Sequence, residues 1–344
     1  MEFMRIGIVG TGAISRKNAQ AYRNIGFPVT VCTDIFEASG LRFAAETGAE
    51  FVPTVEQLCS HPDVDIVDVC TLPNYRMEPL ELCAKAKKHI LVQKPMATNL
   101  ATARTMLEMA HAAGIQLGVV SQHRFDDSIQ FLKKAIGAGR LGRIIEADAY
   151  VKWHRSAEYY SRPIKGTWET EGGGALINQA IHQVDMLLYL AGPVAKAFGY
   201  WQLGAVHRIE SEDVLNALLR FSSGATGVIQ ASTALWPGFP ERIEVHGAKG
   251  TAIVTGDKLT TWQVEDDCGE DAPVVSEVAS GASDPMAISV LPFERQFLDF
   301  AEACRTGGKP LMTAEDGYRA LELVTSIYDS CRSGAPVDIP AVIQ

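Results

Sequence analysis

A glycine-rich turn near the start of the chain constrains the fold more than any other feature. An apolar stretch, residues 5–9, precedes a turn and helix start that read Gly10-Thr11-Gly12-Ala13-Ile14. Gly10 suits a tight turn, and Gly12 allows the backbone to approach a phosphate at the helix N-terminus. Asp34 ends the next predicted strand, where a carboxylate can accept hydrogen bonds from ribose hydroxyls. This order of elements predicts a dinucleotide-binding fold of the Rossmann type.

The residue pair at 34–35 predicts which dinucleotide is bound. The carboxylate of Asp34 repels the 2′-phosphate of NADP. The next residue is Ile35, and not an arginine or lysine that could bind this phosphate. The sequence therefore favours NAD over NADP. An alternative interpretation of Asp34 is an acidic turn residue without a ligand. The predicted cofactor contacts in this part of the chain are Gly10, Gly12, Ala13, Ile14 and Asp34.

The pattern of apolar segments predicts two domains, as expected for 344 residues. In the first part, short strands alternate with helices, which predicts a doubly wound parallel sheet. The strand candidates there are 5–9, 29–33, 50–52, 66–69, 89–92 and 116–120. Later strands follow one another without helices, which predicts a large open, mostly antiparallel sheet in an α/β domain. We place the domains at 1–122 and 123–344.

Two other segments of the second half carry predictions. Residues 175–190 have the pattern of one long helix, and the acidic, weakly periodic segment 265–287 is predicted to be a surface loop.

Composition excludes several functions. The net charge is −10 and no basic stripe is present, so nucleic acid and anionic membranes are poor partners. The seven cysteines form no CxxC pair and no zinc-ligand spacing, so we expect reduced thiols and no metal. No basic region followed by an apolar core opens the chain, so we expect a cytoplasmic protein.

A lysine follows the fifth predicted strand directly. The strand 89–92 continues into Gln93-Lys94-Pro95, at the sheet edge where the nicotinamide end of a dinucleotide is expected. An ammonium group there can hydrogen-bond a substrate hydroxyl and stabilise a developing alkoxide. Pro95 stiffens this turn and is a candidate for a cis peptide bond. A surface lysine before a turn proline is the alternative interpretation.

A triple-glycine turn precedes a helix with a polar face. Gly172-Gly173-Gly174 opens the predicted helix 175–190 and allows close approach to another backbone. Asn178, His182 and Asp185 are spaced to share one face of that helix. A histidine on such a face, next to a hydrogen-bonding partner, is a candidate general base. The alternative is a structural histidine that caps a loop.

The segment 153–168 is rich in aromatic and basic residues. Aromatic rings stack on the C–H faces of sugars, and arginine and tyrosine bind hydroxyls. A loop packed on the sheet is the alternative. The substrate-binding candidates are Trp153, Arg155, Tyr159 and Trp168, together with His123 just after the sixth strand.

These motifs together resemble the Gfo/Idh/MocA family of oxidoreductases. The resemblance implies an NAD-binding Rossmann domain and a C-terminal domain that binds substrate. The open sheet of that second domain would mediate the assembly of the chain into homodimers or homotetramers. The resemblance also implies that Lys94 is catalytic and that His182 is the acid/base. Beside the dinucleotide it places Thr71, Pro73, Asn74, Gln93, Lys94 and Gln122.

The chain departs from the family at one catalytic position. Many members carry aspartate where this chain has Asn178, and an amide cannot relay a proton or raise a histidine pKa as a carboxylate can. We therefore expect Asn178 to orient the substrate or His182. The segment 153–168 with Asn178 resembles a subgroup that acts on sugars, including anhydrosugars, inositols and nucleotide-linked sugars.

The sequence thus predicts an NAD-dependent dehydrogenase of a sugar or cyclic polyol. A ring C–H would give its hydride to nicotinamide, His182 would take the hydroxyl proton, and Lys94 would polarise the oxygen. Lys94, Asn178 and His182 are also expected to contact the substrate. Two alternatives stay open: an NAD-dependent glycosidase that oxidises its sugar transiently, and a non-catalytic NAD-sensing regulator.

Overall fold

The computed structural model describes residues 3–266, 272 and 289–340, and these residues form two compact units. The first unit holds the described residues up to Gln122 and Ser289–Tyr318, and the second holds those from His123 onward and from Arg319 onward. The pattern placed 289–318 in the second domain. In the structure this segment joins the first unit because Phe293, Phe297 and Phe300 are buried in its core. The division of functions between 1–122 and 123–344 stays a prediction.

The first unit is built on a six-stranded parallel sheet, in the order β3-β2-β1-β4-β5-β6. Strands and helices alternate along the chain, which confirms the predicted doubly wound sheet. The elements are β1 Ile6–Val9, α1 Ala13–Asn24, β2 Val29–Thr33, α2 Glu37–Thr47, β3 Glu50–Phe51, α3 Val55–Ser60, β4 Ile66–Val69, α4 Met77–Ala86, β5 His89–Val92, α5 Leu100–Ala113 and β6 Leu117–Val119.

The strand register places the predicted cofactor residues along one sheet edge. Val9 of β1 pairs with Thr33 of β2 and with Val69 of β4, and Val69 pairs in turn with Val92 of β5. The carboxyl ends of these four strands are therefore level. The residues that follow them include Gly10, Asp34, Thr71 and Lys94, and this is the edge at which doubly wound sheets bind ligands.

The second unit contains an eight-stranded sheet, in the order β13-β12-β11-β7-β10-β9-β8-β14. Its neighbouring strands are antiparallel except for the parallel pair β7 and β10, which confirms the predicted mostly antiparallel sheet. The remaining elements of the chain are α6 Asp127–Gly137, β7 Ile144–Lys152, α7 Ala157–Tyr160, α8 Trp168–Glu171, α9 Ala175–Asn178, α10 Ile181–Ala191, β8 Val194–Leu203, β9 Glu212–Phe221, β10 Thr226–Ser232, β11 Arg242–Gly247, β12 Gly250–Thr255, β13 Lys258–Val264, α11 Leu291–Thr306, α12 Ala314–Ser333 and β14 Val337–Asp338.

Residues on β9 alternate between the two faces of this sheet. Leu215, Ala217 and Leu219 are buried on the face that helices α9 and α10 cover. Leu218 points to the opposite face and is 61 % exposed, and Tyr200 on neighbouring β8 is 67 % exposed. An apolar patch therefore lies on this opposite face, which no helix among the described residues is seen to cover.

Helix 175–190 was predicted as one element, but the structure has two helices. The main-chain N–H of Ala180 donates to the carbonyl of Ala175, five residues back, at 3.0 Å. This wider π-type turn interrupts the ladder, so Asn178 ends α9 and α10 begins at Ile181, the residue before His182. The prediction of one continuous helix is therefore wrong, whereas a shared face for Asn178, His182 and Asp185 stays a prediction. Apart from residues 265, 266 and 272, the predicted loop 265–287 lies outside the described residues.

Within the described ranges, no helix has both the length and the apolar character needed to cross a membrane.

Candidate active site

The glycine turn of the first unit has the geometry of a phosphate-binding site. Gly10 has φ +86°, and its N–H donates to the Thr33 carbonyl at 2.9 Å. A Cβ on Gly10 would lie 3.3 Å from the Thr71 nitrogen, whereas a Cβ on Gly12 would have no neighbour within 4 Å. Helix α1 begins beside Gly12 with no side-chain cap and no acidic residue in its first turn. Its first N–H groups are therefore open to an anion, and this turn includes the predicted contacts Ala13 and Ile14.

Asp34 braces this turn from the end of β2. Its Oδ2 accepts hydrogen bonds from the Thr11 N–H and the Thr11 hydroxyl, both at 2.7 Å. Its Oδ1 accepts from the Phe36 N–H at 2.9 Å. A carboxylate offers about four acceptor positions, so Asp34 can also accept from a ribose hydroxyl. The pattern identified Asp34 but not Thr11, because a threonine inside a glycine turn carries no separate signal.

Two buried polar atoms at the same edge fit a cofactor that both donates and accepts hydrogen bonds. The Oδ1 of Asn74 and the Nε2 of Gln93 are buried and have no protein hydrogen-bond partner among the described residues. Asn74 lies in the short 3-10 turn Pro73–Tyr75 after β4. A bound cofactor with a donor beside Asn74 and an acceptor beside Gln93 would satisfy these atoms. Gln122, the other predicted contact, is buried soon after β6.

Lys94 follows β5 on a loop whose main chain is braced by a buried arginine. The Lys94–Pro95 peptide bond is cis, the form for which Pro95 was a candidate. The Arg76 guanidinium donates to the main-chain carbonyls of Gln93 and Pro95, on either side of Lys94, and to Thr71 at 2.9 Å. Burial lowers the pKa of Arg76 to about 9. Sequence reasoning missed Arg76 because an arginine after a short turn resembles a surface residue.

In the second unit, a buried glutamate fixes the triple-glycine turn. Glu212 accepts hydrogen bonds from the N–H groups of Gly174 and Leu176, each at 2.8 Å, and from the Tyr328 hydroxyl at 2.7 Å. A Cβ on Gly174 would lie 1.9 Å from the Glu212 carbonyl oxygen, so only glycine fits. Burial raises the pKa of Glu212 to about 7. Sequence reasoning missed Glu212 and Tyr328, because both lie far along the chain from the turn and belong to no motif.

His182, in the first turn of α10, lies beside a second histidine. The rings of His123 and His182 meet edge to face, with centroids 5.1 Å apart and an interplanar angle of 81°. Asp185, predicted to share a face with His182, forms an ion pair with Arg124, with oxygen–nitrogen distances of 2.6 and 2.8 Å. Both partners of that pair are buried. Asp185 therefore holds the segment that carries His123.

His123 is itself held by a carboxylate. Its Nδ1 lies 2.7 Å from Oδ2 of Asp126, and both side chains are buried. Burial alone lowers the pKa of His123, but the Asp126 carboxylate, with weaker contributions from Glu241 and Asp257, outweighs burial and raises it.

Three of the predicted substrate residues lie together. The Arg155 guanidinium stacks over the Trp153 ring at 4.6 Å and lies 5.8 Å from the Tyr159 ring. Gln179 donates from Nε2 to the Tyr159 hydroxyl at 3.1 Å, which links this group to the turn before His182. Trp168 belongs to another cluster, where its ring packs against Trp201 and Tyr328.

Comparison with known proteins gives matches along most of the chain. Residues 4–121 match the model of the oxidoreductase family with an NAD-binding Rossmann fold, and residues 129–253 match the GFO/IDH/MocA C-terminal domain. Myo-inositol 2-dehydrogenase of Thermotoga maritima is 28% identical over 99% of this chain and 100% of its own. The 1,5-anhydro-D-fructose reductase of Ensifer adhaerens is 28% identical over 97% of this chain and 98% of its own.

A solved structure agrees with these matches. The WlbA dehydrogenase of Bordetella pertussis, in complex with NADH and UDP-GlcNAcA, superposes with a TM-score of 0.88 at 29% identity, covering 99% of this chain and 100% of that one. The predicted cofactor, NAD, and the predicted class, a dehydrogenase acting on CH–OH groups, are confirmed by these findings. The chain therefore belongs to the Gfo/Idh/MocA family of oxidoreductases.

Proposed function

We propose that this enzyme oxidises a ring hydroxyl of a sugar or cyclic polyol, with Lys94 and His182 acting on that hydroxyl. The observation that carries the proposal is the position of Lys94. It follows β5 at the same sheet edge as the glycine turn and Asp34, and its main chain is braced by Arg76. A cation at the nicotinamide end of a dinucleotide site can act on the reacting oxygen.

The protein's own side chains accept the hydroxyl proton and hydrogen-bond the hydroxyl oxygen. His182 accepts the hydroxyl proton as the adjacent C–H bond breaks, and Lys94 donates a hydrogen bond to the oxygen that becomes a carbonyl. Asn178 orients the substrate or His182, since an amide is a poor proton carrier. NAD, when bound, supplies the acceptor for the hydride.

The cofactor is held mainly by the first unit in this proposal. The N–H groups after Gly12 bind the pyrophosphate, and Asp34 binds the adenosine ribose. Asp34 and the 91 % exposed Ile35 offer no positive charge to a 2′-phosphate, which supports NAD over NADP. The proposed contacts are Gly10, Gly12, Ala13, Ile14, Asp34, Thr71, Pro73, Asn74, Gln93, Lys94 and Gln122.

The substrate is a cyclic polyol or sugar bound beside the aromatic segment. Trp153, Arg155 and Tyr159 lie together and are linked through Gln179 to the turn before His182. An aromatic surface with hydroxyl-binding groups suits a sugar ring. Trp168 and His123 were predicted to bind substrate too, and those roles stay predictions. The relatives named above act on myo-inositol and 1,5-anhydro-D-fructose or bind a nucleotide-linked sugar.

A substrate panel tests this proposal. Purified enzyme is incubated with NAD or NADP and with inositols, monosaccharides, anhydrosugars and nucleotide-linked sugars, and NADH is followed by absorbance. We expect NADH to appear with NAD and at least one ring polyol. Release of an aglycone from a glycoside without net NADH would favour the transient-oxidation glycosidase. NAD binding with no turnover on any substrate would favour a sensor.

We also propose that the enzyme is a cytoplasmic homo-oligomer that uses the uncovered face of the second sheet. Tyr200 and Leu218 are exposed there on adjacent strands, and Phe198 pairs directly with Leu218. An exposed apolar sheet face is a common site of association.

A further inference from the structure

The turn that carries His123 is fastened rigidly to helix α10. Arg124, the next residue, forms a two-point ion pair with Asp185 and lies over the Tyr189 ring at 4.7 Å. Both Asp185 and Tyr189 belong to α10, the helix that begins next to His182. His123 is therefore held at a fixed distance from His182 by buried contacts on the same helix.

The charges around His123 favour its protonated form. Asp126 contacts the imidazole directly, and the carboxylates of Glu241 and Asp257 also act on it. The nearby Arg124 is neutralised by Asp185. These groups together raise the pKa of His123 above its ordinary value despite burial.

The contact between the two rings transmits this charge to His182. The ring centroids are 5.1 Å apart, with planes at 81°. A positive ring at that distance opposes protonation of its neighbour, because like charges disfavour the charged form. The edge-to-face contact also restricts rotation of the His182 ring.

We propose that His123, held by Asp126, is a positioning residue for His182. It fixes the orientation of the His182 imidazole and keeps that imidazole in the neutral, proton-accepting form. This inference rests on the proposed role of His182 as the base. It gives His123 a task other than the substrate contact predicted from its place in the sequence, and it favours oxidation of the substrate over reduction of the product.

Two substitutions distinguish the effect of ring packing against His182 from the effect of the positive charge on His123. His123→Phe keeps a ring against His182 but removes the charge. Asp126→Asn keeps the histidine but removes the carboxylate that favours its protonation. His111→Phe, at an exposed position on α5, is the matched control. For each protein we measure kcat and KM for oxidation across pH, kcat for the reverse reduction, NAD affinity and the midpoint of thermal unfolding.

We expect the acid limb of the oxidation pH–rate profile to move up by about one pH unit in His123→Phe and Asp126→Asn. On the acid limb the kcat for oxidation falls up to about tenfold as a result, while KM and NAD affinity change little and reduction is less affected. The control keeps the wild-type profile.

Two results would overturn the inference. One is a folded variant of either kind whose acid limb coincides with that of the wild type. The other is an equal loss of oxidation and reduction at every pH, which indicates a purely structural role. If the wild type forms no NADH, or if His182→Asn keeps full turnover, it is the proposed function that fails.

Discussion

Arg76 braces the main chain of the loop that carries Lys94. It donates to the main-chain carbonyls of Gln93 and Pro95 in buried hydrogen bonds, and to that of Thr71 in a partly buried one. A side chain that serves several buried acceptors cannot be shortened without leaving them unsatisfied. The site therefore depends on a residue that does not itself reach the reacting atoms.

Replacing Arg76 is expected to reduce both stability and turnover. Arg76→Ala should lower the free energy of unfolding by about 3 kcal/mol, because buried carbonyls lose a charged donor. Arg76→Lys should retain part of the stability but lower kcat about tenfold, since an ammonium cannot reach the same acceptors as a guanidinium. Urea unfolding and steady-state kinetics measure the two effects. Arg42→Ala, at an exposed arginine, is the control, and equal behaviour of the Arg76 and Arg42 variants would contradict this prediction.

The sequence was informative about the residues that we propose to carry the chemistry and silent about those that hold them in place. Lys94 was found because it ends a strand at a predictable sheet edge, and His182 because it follows a glycine motif. Arg76 and Glu212 bind main-chain groups far along the chain, at 17 and 38 residues from their partners Gln93 and Gly174. Contacts between residues so far apart in the chain leave no periodic pattern in the sequence.

Among the secondary-structure elements, the start of α9 is tightly constrained. The main chain of the triple-glycine turn lies directly against β9 and α12, through Glu212 and Tyr328. This packing fixes where α9 begins, and the π-type turn at Ala180 then sets the start of α10. The pattern of apolar residues predicted the helical segment but not its interruption, because the apolar spacing continues through the break.

Adding one methyl group at Gly174 tests this constraint. Gly174→Ala should lower the free energy of unfolding by roughly 2 kcal/mol or more, because the new Cβ overlaps the Glu212 carbonyl. It should also lower kcat by displacing the turn that leads to His182. Gly137→Ala, where a Cβ meets nothing within 4 Å, is the matched control. A Gly174→Ala enzyme as stable and active as that control would show that the turn has room to move.

Glu212 makes the stability of this element depend on pH. Its pKa in the folded protein is raised to about 7 from 4.5, so folding favours the protonated acid. The stabilisation is greatest below the unfolded value and is lost as pH rises toward the folded value. Between pH 5 and 7 the wild type should therefore lose about 2 kcal/mol through this group.

Glu212→Gln isolates that contribution. The variant cannot titrate, so its free energy of unfolding should fall less steeply between pH 5 and 7, whatever its absolute stability. Asp68, another buried acid with a pKa raised to about 6, is unchanged in both proteins and cancels in the comparison. Urea unfolding at several pH values gives the two slopes, and parallel slopes would refute the assignment.

For the chain as a whole, the sequence predicted a parallel sheet followed by a mostly antiparallel one, but not which segments pack in each unit. The alternation of strands and helices gave the parallel sheet, and the later run of strands gave the antiparallel one. Helix α11 was assigned to the second domain by its position, yet its phenylalanines fill the core of the first unit, where Phe297 stacks on Tyr22 at 4.3 Å. Apolar periodicity shows that a helix is amphipathic but does not identify the surface it covers.

Association through the uncovered sheet face is testable by one substitution. Leu218→Glu places a charge in the centre of the exposed apolar patch and should convert the oligomer to smaller species, because burying an unpaired carboxylate is costly. Light scattering after size-exclusion chromatography measures the mass. Arg220→Glu, at an exposed position nearer the end of the same strand, is the comparison. A monomeric wild type, or an unchanged mass for Leu218→Glu, would contradict the proposal.

The variants Lys94→Ala and His182→Ala test the proposal that these two side chains act together on the hydroxyl during hydride transfer. With a substrate found in the panel, each variant should lose turnover by about 10²-fold or more, because a positioned proton acceptor or oxyanion donor contributes at least that much. NAD affinity, measured by titration, should stay within a few-fold of the wild type. Near-normal turnover in either variant would contradict the proposed mechanism.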